Sequence, residues 1–183
     1  MRPHAYTLAA VLATGCLFHR SSPLPAPIPR VEGERRTAFA LHYIDVAAGT
    51  GMIVAPRKCV FVHYTGWLTD GRKFDSSRDT TAAGKPREPL SFPQGSRRVI
   101  AGWDLGFDGM KVGGQRRLFI PYQLAYGEAG RPPVIPPKAE LIFDVELMAV
   151  ADTLPRAEPT PRGQQAPPPQ CPTWAAVRPR HSS

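Results

Sequence analysis

The sequence predicts an α+β domain in which an antiparallel sheet packs against one short helix. Three observations carry this. Strand-forming runs recur at 39–46, 58–65, 117–120 and 140–150, with apolar residues at period two in the first and last. A single helical stripe, Ile100, Trp103, Phe107 and Met110, repeats at three- and four-residue spacing. Proline-dense stretches at 23–29 and 155–172 flank this region and lack the large apolar side chains that a core needs. The domain is therefore set at 38–150. Residues 1–15 read as a targeting segment, 16–37 as a linker and 151–183 as a disordered proline-rich tail.

Each element has its own signal. Phe39, Leu41 and Tyr43 open the first strand, and Gly49-Thr50-Gly51 breaks it. Lys58 to Thr65 is β-branched and aromatic, as a buried strand requires. Leu68 to Phe74 reads as a hairpin around Asp70-Gly71, because a tight turn favours positive φ there. A long polar loop follows to Pro89. The helix after it should be short, since Gly102 and Gly106 weaken it and Gly113-Gly114 ends it. Arg117 to Ile120 is a strand, and a proline-rich loop runs on to Lys138. Leu141, Phe143, Val145 and Leu147 then face one way along the last strand.

Composition narrows the function classes. Hydrophobic residues are 42% of the 183, enough for a real core. The net charge of +8 invites a nucleic-acid reading, but residues 38–150 carry only +3 of it. The remaining +5 lies on the flanks, where no Lys/Arg cluster has interleaved aromatics. Nucleic-acid binding is not expected, while weak attraction to anionic surfaces is. No CxxC or Cys/His spacing suggests a metal site. No glycine-rich phosphate loop is present, because Gly102–Gly106 lacks the spacing and follows no βα unit.

Five segments, in order, then acquire a joint meaning. Val62-His63-Tyr64-Thr65-Gly66-Trp67-Leu68, with Asp70-Gly71 and Lys73-Phe74-Asp75-Ser76-Ser77-Arg78, resembles the first signature of the FKBP-type peptidyl-prolyl isomerases. Val99-Ile100-Ala101-Gly102-Trp103-Asp104 is similar to that family's VIxGW element. Ala125-Tyr126-Gly127, Val134-Ile135-Pro136-Pro137 and Leu141–Leu147 complete the series over about 110 residues.

The resemblance implies a curved sheet of about five antiparallel strands wrapped on the helix, with a proline-binding pocket between them. It implies Trp103 as the pocket floor, Tyr64, Phe74 and Phe143 as aromatic walls, and Val99 and Ile100 along one side. The Ile100 N–H and the Tyr126 hydroxyl would donate to substrate carbonyls. Asp75 would sit beside Tyr64 with Arg78 as its ion partner, and Val134 and Ile135 would line a mobile rim. Leu90 stands where many members carry an aromatic, Arg98 where an acid is common, and Pro132-Pro133 where glycine is frequent. The loop after Arg78 is about eight residues longer than in minimal members. The implied partners are proline-containing clients and macrolides such as rapamycin, with no cofactor, and the chain is expected to be a monomer.

These residue types suit the reaction. Rotation about an amide is opposed by resonance worth ~18–20 kcal/mol. The twisted imide has lost that resonance and is less polar than the planar one, so an apolar aromatic cleft favours it relative to water. Neither nucleophile nor metal is called for. His63 follows strand alternation and reads as structural. The other function compatible with such a pocket is a binding module that holds proline segments with little turnover.

Arg2 and His4 precede an apolar run, Ala5 to Thr14, too short for a membrane span and suited to a signal peptide. Leu12-Ala13-Thr14-Gly15-Cys16 resembles a bacterial lipobox, with Ala13 where such boxes carry leucine. Lipidation at Cys16 would anchor the domain at an envelope membrane facing the periplasm; the alternative is a soluble exported protein. Cys59 reads as a small buried hydrophobe. Cys171 is read as free or intermolecularly paired, and a bond between the two is conceivable in an oxidising compartment.

Overall fold

The computed structural model describes residues 25–38, 40–154 and 169–178. Among these, seven strands form one sheet: β1 (Arg35–Ala38), β2 (Leu41–Ala47), β3 (Cys59–Leu68), β4 (Lys73–Ser76), β5 (Leu90–Pro93), β6 (Gln115–Ile120) and β7 (Leu141–Ala151). The order is β1-β2-β6-β7-β3-β4, with β5 pairing alongside β4 on β3, and every pairing is antiparallel. Helix α1 (Ala101–Gly106) crosses one face, and α2 (Trp174–Val177) lies near the chain's end.

Strand alternation sorts the apolar side chains between two faces. Leu118, Ile120, Leu141, Phe143, Val145 and Leu147 turn inward and pack with Trp103, Phe107 and Met110 into the main core. Ile44, Trp67, Phe119 and Ile142 cluster on the other face. A register shift opposite Met148 reverses the pattern late in β7, so Ala149 joins Cys59 and Phe61 on that outer face. Each buried large side chain contributes about 1.5–3 kcal/mol.

The helix is shorter than its stripe of apolar residues. Phe107 is already its C-cap, and Met110 reaches the core from the following turn. Gly102 is needed here for proximity: a Cβ would collide with the Ile120 side chain. Arg116 fixes the other end. Its Nη1 donates to the carbonyls of Gly106 (2.8 Å) and Asp108 (3.2 Å), and its Nε donates to Asp45 (2.6 Å). The guanidinium also lies 4.1 Å from the centre of the Tyr43 ring. This buried cation satisfies carbonyls that a helix end leaves unpaired, and so holds Trp103 in place.

Two boundary expectations need correction. The segment 25–37 is no free linker: Ile28 is 5% exposed against Trp67, Phe119 and Ile142, and β1 pairs with β2. Arg117 explains the docking. It is paired through two bonds with Asp144 (2.5 and 2.6 Å), and its remaining Nη1 donates to the Pro29 carbonyl at 2.6 Å. Nor is the whole of 151–183 a disordered tail. β7 runs to Ala151, Cys171 is bonded to Cys59, and Trp174 packs 5.8 Å from Phe61. Phe39, the expected signal segment, Cys16 and most of the proline-rich tail lie outside the described residues.

Candidate active site

Between α1, β3, β4 and β7 opens a cleft of about 590 Å³, lined by Tyr64, Phe74, Asp75, Leu90, Arg98, Val99, Ile100, Ala101, Trp103, Ala125, Tyr126, Arg131 and Phe143. Four rings surround the Trp103 indole: Tyr64 at 5.0 Å, Phe143 at 5.2 Å, Phe107 at 5.6 Å and Phe92 at 5.7 Å. The first three stand nearly perpendicular to it, the geometry that aromatic quadrupoles favour. Trp103 is only 4% exposed, and it lines the cleft. Its buried Nε1 has no hydrogen-bond partner among the described residues. The site thus tolerates an orphan donor that costs about 1–3 kcal/mol in order to place a large ring there.

Backbone irregularity brings Phe74 and Asp75 to the same cleft although they are neighbours in a strand. Gly66 pairs with Asp75 but Trp67 pairs with Lys73, so Phe74 sits at a bulge. Gly66 leaves room for the wall it faces. A Cβ there would come within 2.7 Å of both the Phe74 and Phe143 rings, which themselves meet edge to face at 5.4 Å. The Tyr64 hydroxyl donates to Asp75 Oδ2 at 2.6 Å, and the Ser76 N–H donates to Asp75 Oδ1 at 2.9 Å. Burial, and then the bond to Asp75, hold the Tyr64 pKa well above its ordinary value, so the phenol stays protonated. Its ring is locked as a wall.

Tyr126 stands after the short 3₁₀ turn Tyr122–Leu124, just before Gly127 at φ 66°. Its hydroxyl makes no protein hydrogen bond among the described residues, and neither does the Ile100 N–H. Both therefore remain open to a ligand at the cleft. Val134 is 45% exposed in an adjoining recess with Phe74, Asp75 and Tyr126.

Two predicted site residues differ from expectation, one in place and one in exposure. Arg78 leaves the cleft: its Nη2 pairs with Glu146, which β3–β7 registry places beside His63 on the outer face. The cation next to Asp75 is Arg87, with Nη1 at 3.7 Å from Oδ1 and 3.2 Å from the Ser76 carbonyl. The loop's internal bonds, Thr81 N–H to Lys85 O and Gly84 N–H to Thr81 O, fold it back and deliver Arg87. Ile135 lines the adjoining recess with Val134, but as a buried residue, 3% exposed and part of the main core. Leu90, Val99, Ile100, Trp103, Tyr64, Phe74, Asp75, Tyr126 and Phe143 do converge. Arg87, Ala101, Ala125 and Arg131 were not foreseen.

The outer face carries a second groove of about 440 Å³, where His63, Trp67, Arg78, Gln115, Asp144 and Glu146 gather. His63 Nδ1 lies 3.0 Å from Ser77 Oγ. Burial, and then the charge of Arg78, lower its pKa. It has no access to the aromatic cleft.

Comparison with known proteins agrees with this geometry. The family model for FKBP-type peptidyl-prolyl cis-trans isomerase matches residues 51–148. The chain is 50% identical over 106 residues to an FK506-binding protein of Neisseria meningitidis serogroup A, covering 58% of this chain and 92% of that one. It is 51% identical over 111 residues to FK506-binding protein 4 of Dictyostelium discoideum, covering 61% of this chain but only 28% of that longer protein. The solved structure of FkpA from Escherichia coli superposes with a TM-score of 0.57 at 42% identity, covering 66% of this chain and 53% of FkpA. With more than half its length matched and the aromatic cleft in the expected place, the chain belongs to the FKBP-type peptidyl-prolyl cis-trans isomerase family.

Proposed function

We propose that this chain's isomerase chemistry takes place in the cleft floored by Trp103. The observation that carries the reading is the open cleft itself, ringed by Tyr64, Phe74, Trp103 and Phe143 and adjoined by two unengaged donors. A proline ring seats on the indole. The Ile100 N–H and the Tyr126 Oη–H each donate to a substrate carbonyl and hold the peptide while the X-Pro bond turns. Asp75 acts through Tyr64, fixing that wall. No covalent bond forms or breaks. The barrier falls because the twisted imide, having lost amide resonance, sheds less hydration than the planar form on entering an apolar site. Each ~1.4 kcal/mol of that preference gives about tenfold in rate.

Exported, proline-containing chains are the proposed clients, and the domain is proposed to act as a monomer held at a membrane surface through lipidated Cys16. The Cys59–Cys171 bond supports an oxidising compartment, where such bonds persist. Mass spectrometry of the mature N-terminus tests the anchor, and a free amino-terminal residue beyond Cys16 would reject it. A protease-coupled assay on an X-Pro tetrapeptide tests the activity, with inhibition by a rapamycin-class macrolide expected. Peptide binding without acceleration would replace the enzyme with a binding module.

A further inference from the structure

We infer that the cleft selects proline segments carrying an acidic residue next to the proline, and that Arg98 and Arg131 make the selection. The inference rests on the functional reading above. The cleft wall is apolar except for a few groups, and their charges are unequal. Asp75 is the only carboxylate among the lining residues. It is already engaged by the Tyr64 hydroxyl, the Ser76 N–H and the Arg87 guanidinium. Arg98 and Arg131 line the same cleft, are exposed, and have no carboxylate within 4.0 Å among the described residues. A bound peptide therefore meets two uncompensated positive charges beside low-dielectric aromatic walls, which focus the field.

The backbone sets where both arginines stand. Between β5 and α1 the chain reverses through Gly95 (φ 74°) and Arg97 (φ 55°), delivering Arg98 beside Val99 and Ile100. The left-handed backbone at Arg97 is one that L residues seldom adopt. Arg131 closes a five-residue loop, its N–H donating to the Ile135 carbonyl (2.8 Å) and its carbonyl accepting from the Ile135 N–H (3.0 Å). Its guanidinium sits 5.9 Å from the centre of the Tyr126 ring. One cation thus flanks the proposed Ile100 donor and the other the proposed Tyr126 donor. Those donors hold the carbonyls around the X-Pro bond, so the side chains within reach of the cations are those adjoining the proline.

The test uses peptides with neutral caps and the core X-Pro-Z, with Glu or its neutral isostere Gln at X or at Z. Cis–trans exchange is measured by NMR, without a coupling protease. At low salt, kcat/KM for Glu should exceed that for Gln at one or both positions by about threefold per arginine engaged. At about 1 M salt, where the screening length is about 3 Å, the ratio should fall toward one. The Arg98→Gln/Arg131→Gln double variant should lose the preference, while Arg98→Lys/Arg131→Lys should retain it. A wild-type ratio of one or less at both positions, with the Gln peptides still turned over, overturns the selectivity and leaves the isomerase reading standing. A preference that survives in the Gln double variant also overturns it. If no peptide exchanges faster, the isomerase reading falls and the selectivity falls with it.

Discussion

Replacing Asp75 with valine strands the Tyr64 hydroxyl, and the structure says how much that should matter. The bond is short, 2.6 Å, and its acceptor is a carboxylate, so its net worth is about 1.5–3 kcal/mol. The Asp75 side chain is 46% exposed, which keeps its 3.7 Å pairing with Arg87 to at most about 1 kcal/mol. Water replaces part of both interactions at this half-exposed carboxylate, so Asp75→Val should destabilise the domain by about 1–2 kcal/mol, or roughly 4–8 °C in Tm. Tyr64→Phe should cost about the same, and the double variant little more than either. Urea melts of all four proteins give a coupling energy, expected near 1–1.5 kcal/mol. Activity should follow the ring. A Tyr64 freed from Asp75 no longer holds its perpendicular stance 5.0 Å from Trp103, so X-Pro exchange should slow about tenfold in Asp75→Val. Strictly additive stabilities, or full activity in Asp75→Val, would refute the role given to this pair.

Gly66→Ala should lower stability by about 1–3 kcal/mol and reduce kcat/KM, because the new methyl drives Phe74 and Phe143 into the cleft; melts and exchange rates check both. Reducing the Cys59–Cys171 bond, which spans 112 residues, should remove roughly 2–4 kcal/mol of stability and shift Trp174 fluorescence to the red. Exchange rates should then change by less than about twofold, since this latch lies on the face opposite the cleft. Stability should also fall at both pH extremes. His63 has a lowered folded pKa, so its contribution is complete above about 6.5 and is lost as pH drops through the folded value. Tyr64 has a raised one, so its contribution is complete below about 10 and is lost as pH climbs beyond that. His63→Gln and Tyr64→Phe should each flatten only their own limb of the melting profile.

Periodicity alone makes two parts of the cleft legible, while its other residues follow only from the family resemblance. Phe143 shares a face with Leu141 and Val145 by period two, and Trp103 shares one with Phe107 by helical spacing. What alternation cannot report is charge placement on irregular backbone. Arg78 and Arg87 flank one long loop, and only the loop's internal bonds decide which of them returns to Asp75. The flanks were misjudged for a different reason. Pro25–Pro29 has no periodic pattern, and its docking rests on one buried side chain, Ile28, and one carbonyl that accepts from Arg117. Likewise, a lone Cys171 among prolines gives no sign of its partner, which lies 112 residues away and is brought near by the fold.

The account stands most directly on where a proline ring rests while its peptide bond turns. A single two-dimensional NMR exchange and NOE experiment, run on an X-Pro peptide with a small molar fraction of the wild-type protein, reads both at once. Accelerated cis–trans exchange peaks, together with contacts from the proline ring protons to the Trp103 indole, are the predicted result. Acceleration without those contacts, or the contacts without acceleration, would contradict it.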